Sequence, residues 1–388
     1  MQKKTTVKAS NKRQSQKNNV SSKGLAAVYT GPGEPLDIRT YPVLPPQNKN
    51  ALLRLERSGI CGTDVHIFEG RLPVPGSLIP GHEFIGRIIE TGRAVKKDGM
   101  GRTIKPGDRA IACVAQPCGR CFNCRRGETA SCLQFGVTYV RNPEELPHFF
   151  GGYAEYLHHP ANCLVSIPDS INIDAVSAFP CAGPTAIRAY DYAGGLEKGE
   201  IVVVQGAGPV GLFSIAYAAK AGCVVVAIGS GRDPRRVSLA KKMGAKLFFD
   251  YKTTKPEERL EAVRKLANRN QRGDGADVVF EASGSPQAIN EGLSLVRTRG
   301  RYLVPGQYSN SGGISINPQT ITFKAIRMIG SGQYTLNDIG TYIRFLAKNA
   351  DLQKTFARCI THRYSIGEAE TAWRNAANGL SIKGVFEL

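Results

Sequence analysis

Ile201-Val202-Val203-Val204-Gln205-Gly206-Ala207-Gly208-Pro209-Val210-Gly211 is an apolar β-type run that ends in a glycine turn and leads into an apolar, helix-length stretch closing near Ala221. A GxGxxG pattern alone says little. With a strand before it and a helix after it, the pattern meets the requirements for holding an anion at a helix N-terminus. Gly206 then permits the tight turn, Gly208 lets the backbone approach a pyrophosphate, and Gly211 lets the helix pack close to the strand. Pro209 and Val210 open the helix beside the anion and join the cofactor-binding set. Further apolar runs at 224–228, 247–249, 278–280, 302–304 and 326–329 alternate with helix-length segments, the pattern of a parallel sheet covered by helices. Six such strands predict a doubly wound dinucleotide-binding unit in an α/β chain.

Beyond the second strand the sequence reads Gly229-Ser230-Gly231-Arg232-Asp233-Pro234-Arg235-Arg236. No acid stands at the strand end, where NAD sites place a carboxylate on the ribose hydroxyls. Arg232, with Arg235 or Arg236 and with Ser230 beside it, suits a 2′-phosphate, so NADP is favoured over NAD. Asp233 keeps NAD open, and the arginines also fit the exposed start of a helix.

The remainder of the chain divides around this unit. With 388 residues and 41% hydrophobic content, it can bury a large core, and two or three domains are expected. Residues 24–182 carry short β-type runs broken by Gly and Pro and predict a mostly β domain, 183–325 the parallel sheet, and 326–388 a return to the first domain. The formal charge of +19 is uneven. Residues 1–23 hold seven Lys and Arg and no acid, the composition of a disordered basic tail. The excess elsewhere suits a phosphate-bearing ligand and needs no nucleic acid to explain it. No membrane span or secretion signal is legible, which makes a cytoplasmic setting the expectation.

Ten cysteines in such a chain read as reduced, metal-binding thiols rather than disulfides. Cys118, Cys121, Cys124 and Cys132 have the close spacing of a closed sulfur shell for a structural Zn²⁺. Cys61 and His82, from separate segments, suggest a second and open metal site with a position left for water or substrate. Cys113, Cys163, Cys223 and Cys359 lie in apolar stretches and read as small buried hydrophobes.

Gly81-His82-Glu83 followed by Gly86, Gly92 and Val95, Cys61-Gly62-Thr63-Asp64, the four-cysteine lobe and the glycine turn, in that combination, resemble the zinc-dependent medium-chain alcohol dehydrogenase/reductase superfamily over essentially all of 24–388. The resemblance implies a GroES-like catalytic domain, a Rossmann domain, and an active site in the cleft between them. It implies that Cys61, His82 and Cys181 hold a catalytic zinc, with Glu83 as an alternative ligand and Asp64 fixing the His82 ring from behind. It implies an oxidoreductase moving a hydride between an alcohol, or its aldehyde or ketone, and a nicotinamide dinucleotide, the zinc acting as Lewis acid on the substrate oxygen.

On the same resemblance, Thr63 contacts the reacting oxygen, His66 passes the proton to solvent, Thr185 meets the nicotinamide and Lys383 reaches the pyrophosphate. Gly62 departs from relatives that carry a basic residue there. A homodimer or homotetramer is implied, with the cysteine lobe near the subunit contacts. Phe68, Phe135, Tyr139 and residues near Gln307 are expected to line the substrate site, and His66, Glu69 and Gln307 would admit a hydroxylated or anionic small molecule. Two other readings are a silent dinucleotide-binding sensor, which would be expected to have lost a zinc ligand, and a nucleic-acid binder, which would need a partner helix with finger spacing that is absent from the sequence.

Overall fold

The protein is described here by a computed structural model covering residues 21–388. Residues 1–20, and with them nearly all of the expected basic tail, lie outside the described residues. Six strands, Ile201–Gln205, Val224–Gly229, Ala245–Asp250, Ala276–Glu281, Val296–Val304 and Arg327–Gly330, form one parallel sheet. From one edge to the other they run third, second, first, fourth, fifth and sixth in chain order, the doubly wound order expected from the sequence. Val202, Val203, Val204, Val278, Val279 and Phe280 are each fully buried. Such unbroken apolar runs belong to parallel strands whose two faces are both covered. Part of that cover is the helix Pro209–Lys220, which buries Leu212, Phe213, Ile215 and Ala216.

A second sheet joins Ile360–Tyr364, Lys383–Phe386, Asn50–Gly59, Phe84–Thr91, Arg109–Ala112 and Leu164–Ile167 in that order, with Tyr156–Pro160 also paired to Asn50–Gly59. The C-terminal strand pairs antiparallel with Asn50–Gly59, Val385 opposite Gly59 and Phe386 opposite Ser58. The chain therefore closes on its own N-terminal sheet and carries Lys383 to the end of the strand that precedes Cys61.

The boundary expected at 325 falls short of the parallel sheet. Arg327–Gly330 is the sixth strand of that sheet, with Met328 opposite Tyr302, and the first strand of the return is Ile360–Tyr364. An apolar run is visible in sequence, but the hydrogen-bonding partner that assigns it to a sheet is not. Cys113, Cys163 and Cys359 are buried as expected, whereas Cys223 is only half-buried. It sits in the turn before Val224–Gly229, where its thiol donates to the Glu197 carbonyl at 3.4 Å. No helix among the described residues is long and apolar enough to cross a membrane.

His158 and His159 on the strand Tyr156–Pro160 are both buried. His159 Nε2 lies 3.0 Å from the Cys113 carbonyl, and neither ring nitrogen of His158 has a partner among the described residues. Burial pushes both imidazoles down to about 4. The neutral ring is favoured in the folded state, so between about pH 6.5 and 4 the unfolded chain binds protons that the folded chain refuses, and stability is lost as the pH is lowered. By pH 5 each such group lowers stability by on the order of 2 kcal/mol. Thermal unfolding should therefore show a Tm that drops between pH 7 and pH 5, with a shallower drop in His158→Phe. An identical slope in the variant would remove His158 as a cause.

Candidate active site and metal centres

Cys61 caps the helix Gly62–Phe68, and its amide donates to the Asp64 carboxylate at 2.9 Å. His82 and Glu83 enter the strand Phe84–Thr91, and Cys181 precedes the helix Ala182–Tyr192. These three segments bring the donor atoms of Cys61, His82, Glu83 and Cys181 to within 4.8 Å of one another. Ligands at about 2.0–2.3 Å from one tetrahedral zinc are spaced more closely than that limit, so the donor set and its compactness fit the ion. Fully buried Asp64 stands 3.4 Å from His82 Nδ1, behind the ring as expected.

The electrostatics match an anionic donor set. A hydrogen bond from the Cys181 thiol, helped by nearby His82 and Lys383, overcomes burial and holds the Cys61 thiol well below its ordinary range. Burial opposes a charged His82, but the Asp64 carboxylate and Cys61 outweigh it and raise the imidazole well above its ordinary value.

Beside this cluster the structure places a buried ion pair. Lys383 Nζ contacts Glu83 Oε2, both side chains being 1% exposed, and also donates to the Ile60 carbonyl at 3.1 Å. Burial pushes the Glu83 carboxyl up to about 7 against the pull of the ammonium. Gly59 makes room for the pair, since a Cβ there would lie 1.9 Å from Glu83 Oε2 and 2.7 Å from Lys383 Cε. This corrects the expectation for Lys383. Its ammonium is committed to Glu83 and Ile60 because strand pairing with Asn50–Gly59 delivers it there, not to a pyrophosphate.

Thr63, His66, Thr185, Gly208, Pro209 and Val210 open onto the same cleft as the cluster, about 470 Å³ in volume. Thr63 Oγ1 is 3.9 Å from Cys61 Sγ. His66 lies three residues further along the helix, on the same face, and burial, followed by the charge of Arg71, lowers its pKa. The Thr185 hydroxyl donates to the Cys181 carbonyl at 2.9 Å.

Each turn glycine has a distinct cause. Gly206 has φ +110° and a Cβ there would meet the Ala282 backbone at 2.7 Å, while at Gly211 it would lie 1.9 Å from the Gly206 oxygen. At Gly208 a Cβ would meet nothing within 4 Å. The bare backbone there faces open space, on the boundary between the cluster's cleft and a crevice of about 830 Å³ that runs past Gly229 and Ser230. Gly206 and Ala282 follow adjacent strands at which the strand order reverses, the position where this fold binds dinucleotides. An extended ligand with a pyrophosphate at its middle fits this continuous surface.

The arginines beyond the second strand separate in role. Arg235 pairs with Asp233 at 2.9 Å, and Arg236 donates to the Ala207 and Ser381 carbonyls at 3.2 and 2.7 Å. Arg232 is exposed, and its guanidinium has no hydrogen-bond partner among the described residues. It borders a small depression with Ser230 and Leu380.

Of the expected substrate-lining residues, His66, Tyr139 and the neighbours of Gln307, namely Pro305, Gly306 and Tyr308, line the cleft, the Tyr139 ring near-parallel to His82 at 6.3 Å. Phe68 is core, packed on Tyr29 and Trp373. Phe135 lies beside the cysteine lobe, Glu69 is paired with Arg71, and Gln307 donates to Glu281 at 3.2 Å. Val114, Val137 and Tyr334 line the cleft as well, and no sequence motif singled them out.

The sulfurs of Cys118, Cys121, Cys124 and Cys132 likewise lie within 4.8 Å of one another. Backbone amides point at them, Cys118 N to Cys132 Sγ at 3.2 Å and Cys121 N to Cys118 Sγ at 3.4 Å. The amides of Cys124 and Leu133 hold the Cys121 thiol down to about 6. Backbone amides favour thiolate at Cys118 and Cys121, whereas burial pushes the Cys124 thiol up to about 12, and a zinc in the shell would favour thiolate at all four.

Residues 47–169 match the alcohol dehydrogenase GroES-like domain, and 209–348 match the zinc-binding dehydrogenase family. The chain is 33% identical over 351 residues to the 5-exo-hydroxycamphor dehydrogenase of Pseudomonas putida, covering 89% of this chain and 94% of that protein. Among solved structures it is similar to an alcohol dehydrogenase from Thermotoga maritima, with a TM-score of 0.87 and 28% identity over 94% of this chain and 99% of that one. It is also similar to a zinc-binding dehydrogenase from Sinorhizobium meliloti solved with NADP, with a TM-score of 0.77 and 26% identity over 95% and 100%. The converging donors, the glycine turn at the sheet's switch point and these matches have one meaning: the chain belongs to the zinc-dependent medium-chain alcohol dehydrogenase/reductase superfamily, and is an oxidoreductase that transfers a hydride between an alcohol or its carbonyl and a nicotinamide dinucleotide.

Proposed function

We propose that Cys61, His82 and Cys181 hold the catalytic zinc, that Glu83 stands aside in its ion pair with Lys383, and that the four-cysteine lobe holds a second, structural zinc. The observation that carries this reading is the convergence of donors from three distant segments on a cleft shared with the glycine turn. When bound, the cation supplies a Lewis acid that polarises the substrate C–O bond, and the nicotinamide takes up or returns the hydride. Thr63 hydrogen-bonds the substrate oxygen. His66, kept neutral near pH 7 by burial and Arg71, accepts the proton and releases it to solvent. Thr185 borders the nicotinamide, and Gly206, Gly208, Pro209, Val210 and Gly211 seat the pyrophosphate.

NADP is the preferred dinucleotide in this reading, with Arg232 and Ser230 meeting the 2′-phosphate. Support comes from the exposed, unpaired Arg232 and from the NADP found in the Sinorhizobium relative. Arg236 has the supporting task of bracing the turn through the Ala207 carbonyl. The protein works as a homo-oligomer in the cytoplasm. Phe122 and Leu133, 68% and 69% exposed on the cysteine lobe, support burial of that surface against a second copy, and ten free thiols support a reducing setting.

Cys61→Ser and His82→Ala should each lower turnover at least ~10³-fold while dinucleotide affinity, followed by nicotinamide fluorescence, changes by less than about threefold. Normal turnover in either variant would sink the zinc assignment. Arg232→Ala should weaken NADP by about tenfold or more and leave NAD nearly untouched; an equal loss for both would remove the preference. For the lobe, Cys118→Ser should lower zinc content from two per chain to one and shift the molecule towards monomer in sedimentation, and an unaltered oligomer would count against its place at the subunit contact.

A further inference from the structure

Beside the proposed metal donors, the substrate side of the cleft presents no unpaired charge. Its walls are Val114 and Val137 from the N-terminal sheet region, Tyr139 over the His82 ring, and Pro305, Tyr308 and Tyr334 from the opposite unit. Every charged side chain on the lining is already answered within the protein. Glu83 and Lys383 neutralise each other, and Arg71 is taken by Glu69. Beyond the metal donors, the polar side chains are Thr63, His66 and Thr185, which the hydride-transfer reading uses, together with Ser283, Ser311, Gln333 and the phenol hydroxyls of Tyr139, Tyr308 and Tyr334.

We infer that this cleft takes a compact carbocyclic alcohol, of one or two fused or bridged rings, or the ketone or aldehyde derived from it. The inference rests on the proposed zinc reading and deepens it. Two alternatives conflict with the lining. A zwitterionic amino alcohol would bring a carboxylate and an ammonium to a cleft whose charged side chains are already paired. A phosphorylated substrate would find only Arg71 and Lys383, both already paired.

A ring carbinol has one polar group, which goes to the metal donors beside Thr63, and an apolar body that suits the aromatic and branched walls. Size points the same way. At about 470 Å³ the cleft also houses the nicotinamide end at Gly208 to Val210, towards the small end of the roughly 300–1,000 Å³ range of ligand pockets. What is left suits a compact body better than a long chain. The step itself balances as for any such alcohol. The C–H electron pair leaves with the hydride for the nicotinamide, the hydroxyl proton leaves through Thr63 and His66, and the carbinol is oxidised by two electrons as the dinucleotide is reduced.

The test uses the zinc-loaded full chain with saturating NADP, then NAD, and reads nicotinamide absorbance with cyclohexanol, borneol and benzyl alcohol against L-threonine, sorbitol and glycerol 3-phosphate. The expected result is a kcat/KM at least ~100-fold higher for the best ring alcohol than for any of the other three. A preference for L-threonine, sorbitol or glycerol 3-phosphate would overturn the inference and leave the hydride-transfer reading intact. If all six were inert while zinc content and dinucleotide binding were normal, both would fall. Tyr308→Ala provides an internal check, because that ring is 42% exposed and its loss should leave Tm unchanged. It should lower kcat/KM for borneol by about tenfold and lower it less for sorbitol, and equal losses on the two would count against an apolar wall.

Discussion

Two thiols, an imidazole, a carboxylate and an ammonium share a space from which water is largely excluded, and such a group is stable only if each member is compensated by another. Lys383 answers Glu83, Asp64 stands behind His82, and the sulfurs of Cys61 and Cys181 lie within 4.8 Å of one another. A cation held among them would complete the compensation. The surrounding architecture follows from this constraint. Gly59 must lack a side chain, the C-terminal strand must come back to Asn50–Gly59 to deliver Lys383, and Asp64 must sit one turn into the helix that Cys61 caps. Over three hundred residues of chain separate Cys61 from Lys383, so the cluster ties the last strand to the first sheet as well as serving the chemistry.

The parallel sheet contributes the other half. Its strand order leaves a crevice at the carboxyl ends of Ile201–Gln205 and Ala276–Glu281, and Gly208 lies where that crevice meets the cluster's cleft. A dinucleotide lying along the sheet would therefore bring its reactive end towards the cluster of Cys61, His82 and Cys181 without any separate positioning device. Orientation of this kind accounts for a large share of what an enzyme adds to a two-reactant step, and it arises from rigid elements rather than from mobile loops. The substrate walls, by contrast, come partly from irregular segments around Tyr308 and Tyr334, where relatives sharing this scaffold have latitude to differ.

Legibility in the sequence tracked the range of the forces involved. The six strands, the glycine turn and the four-cysteine lobe were readable because local rules govern them, whereas Cys61, His82 and Cys181, far apart in the chain, were grouped only through the family resemblance. Apolar runs mark covered strands, close spacing marks a shared metal, and glycines mark positions where a Cβ has no room or must not intrude. Phe68 and Phe135 were misjudged because an aromatic residue near a ligand segment is equally at home in a core, and only packing against Tyr29 and Trp373 shows that Phe68 is there. Glu69 and Gln307 looked available for substrate until Arg71 and Glu281 claimed them.

The sequence by itself determined the fold class, the succession of strands and helices, and the residue types able to hold metal and pyrophosphate, since each depends on neighbours a few positions apart. Tertiary structure alone decided that Lys383 faces Glu83 and that Arg232 rather than Arg235 is unpaired. It alone also decided that Val114, Val137 and Tyr334 line the cleft. Those outcomes depend on which distant segment arrives at hydrogen-bonding or van der Waals distance, and local sequence carries no record of that arrival.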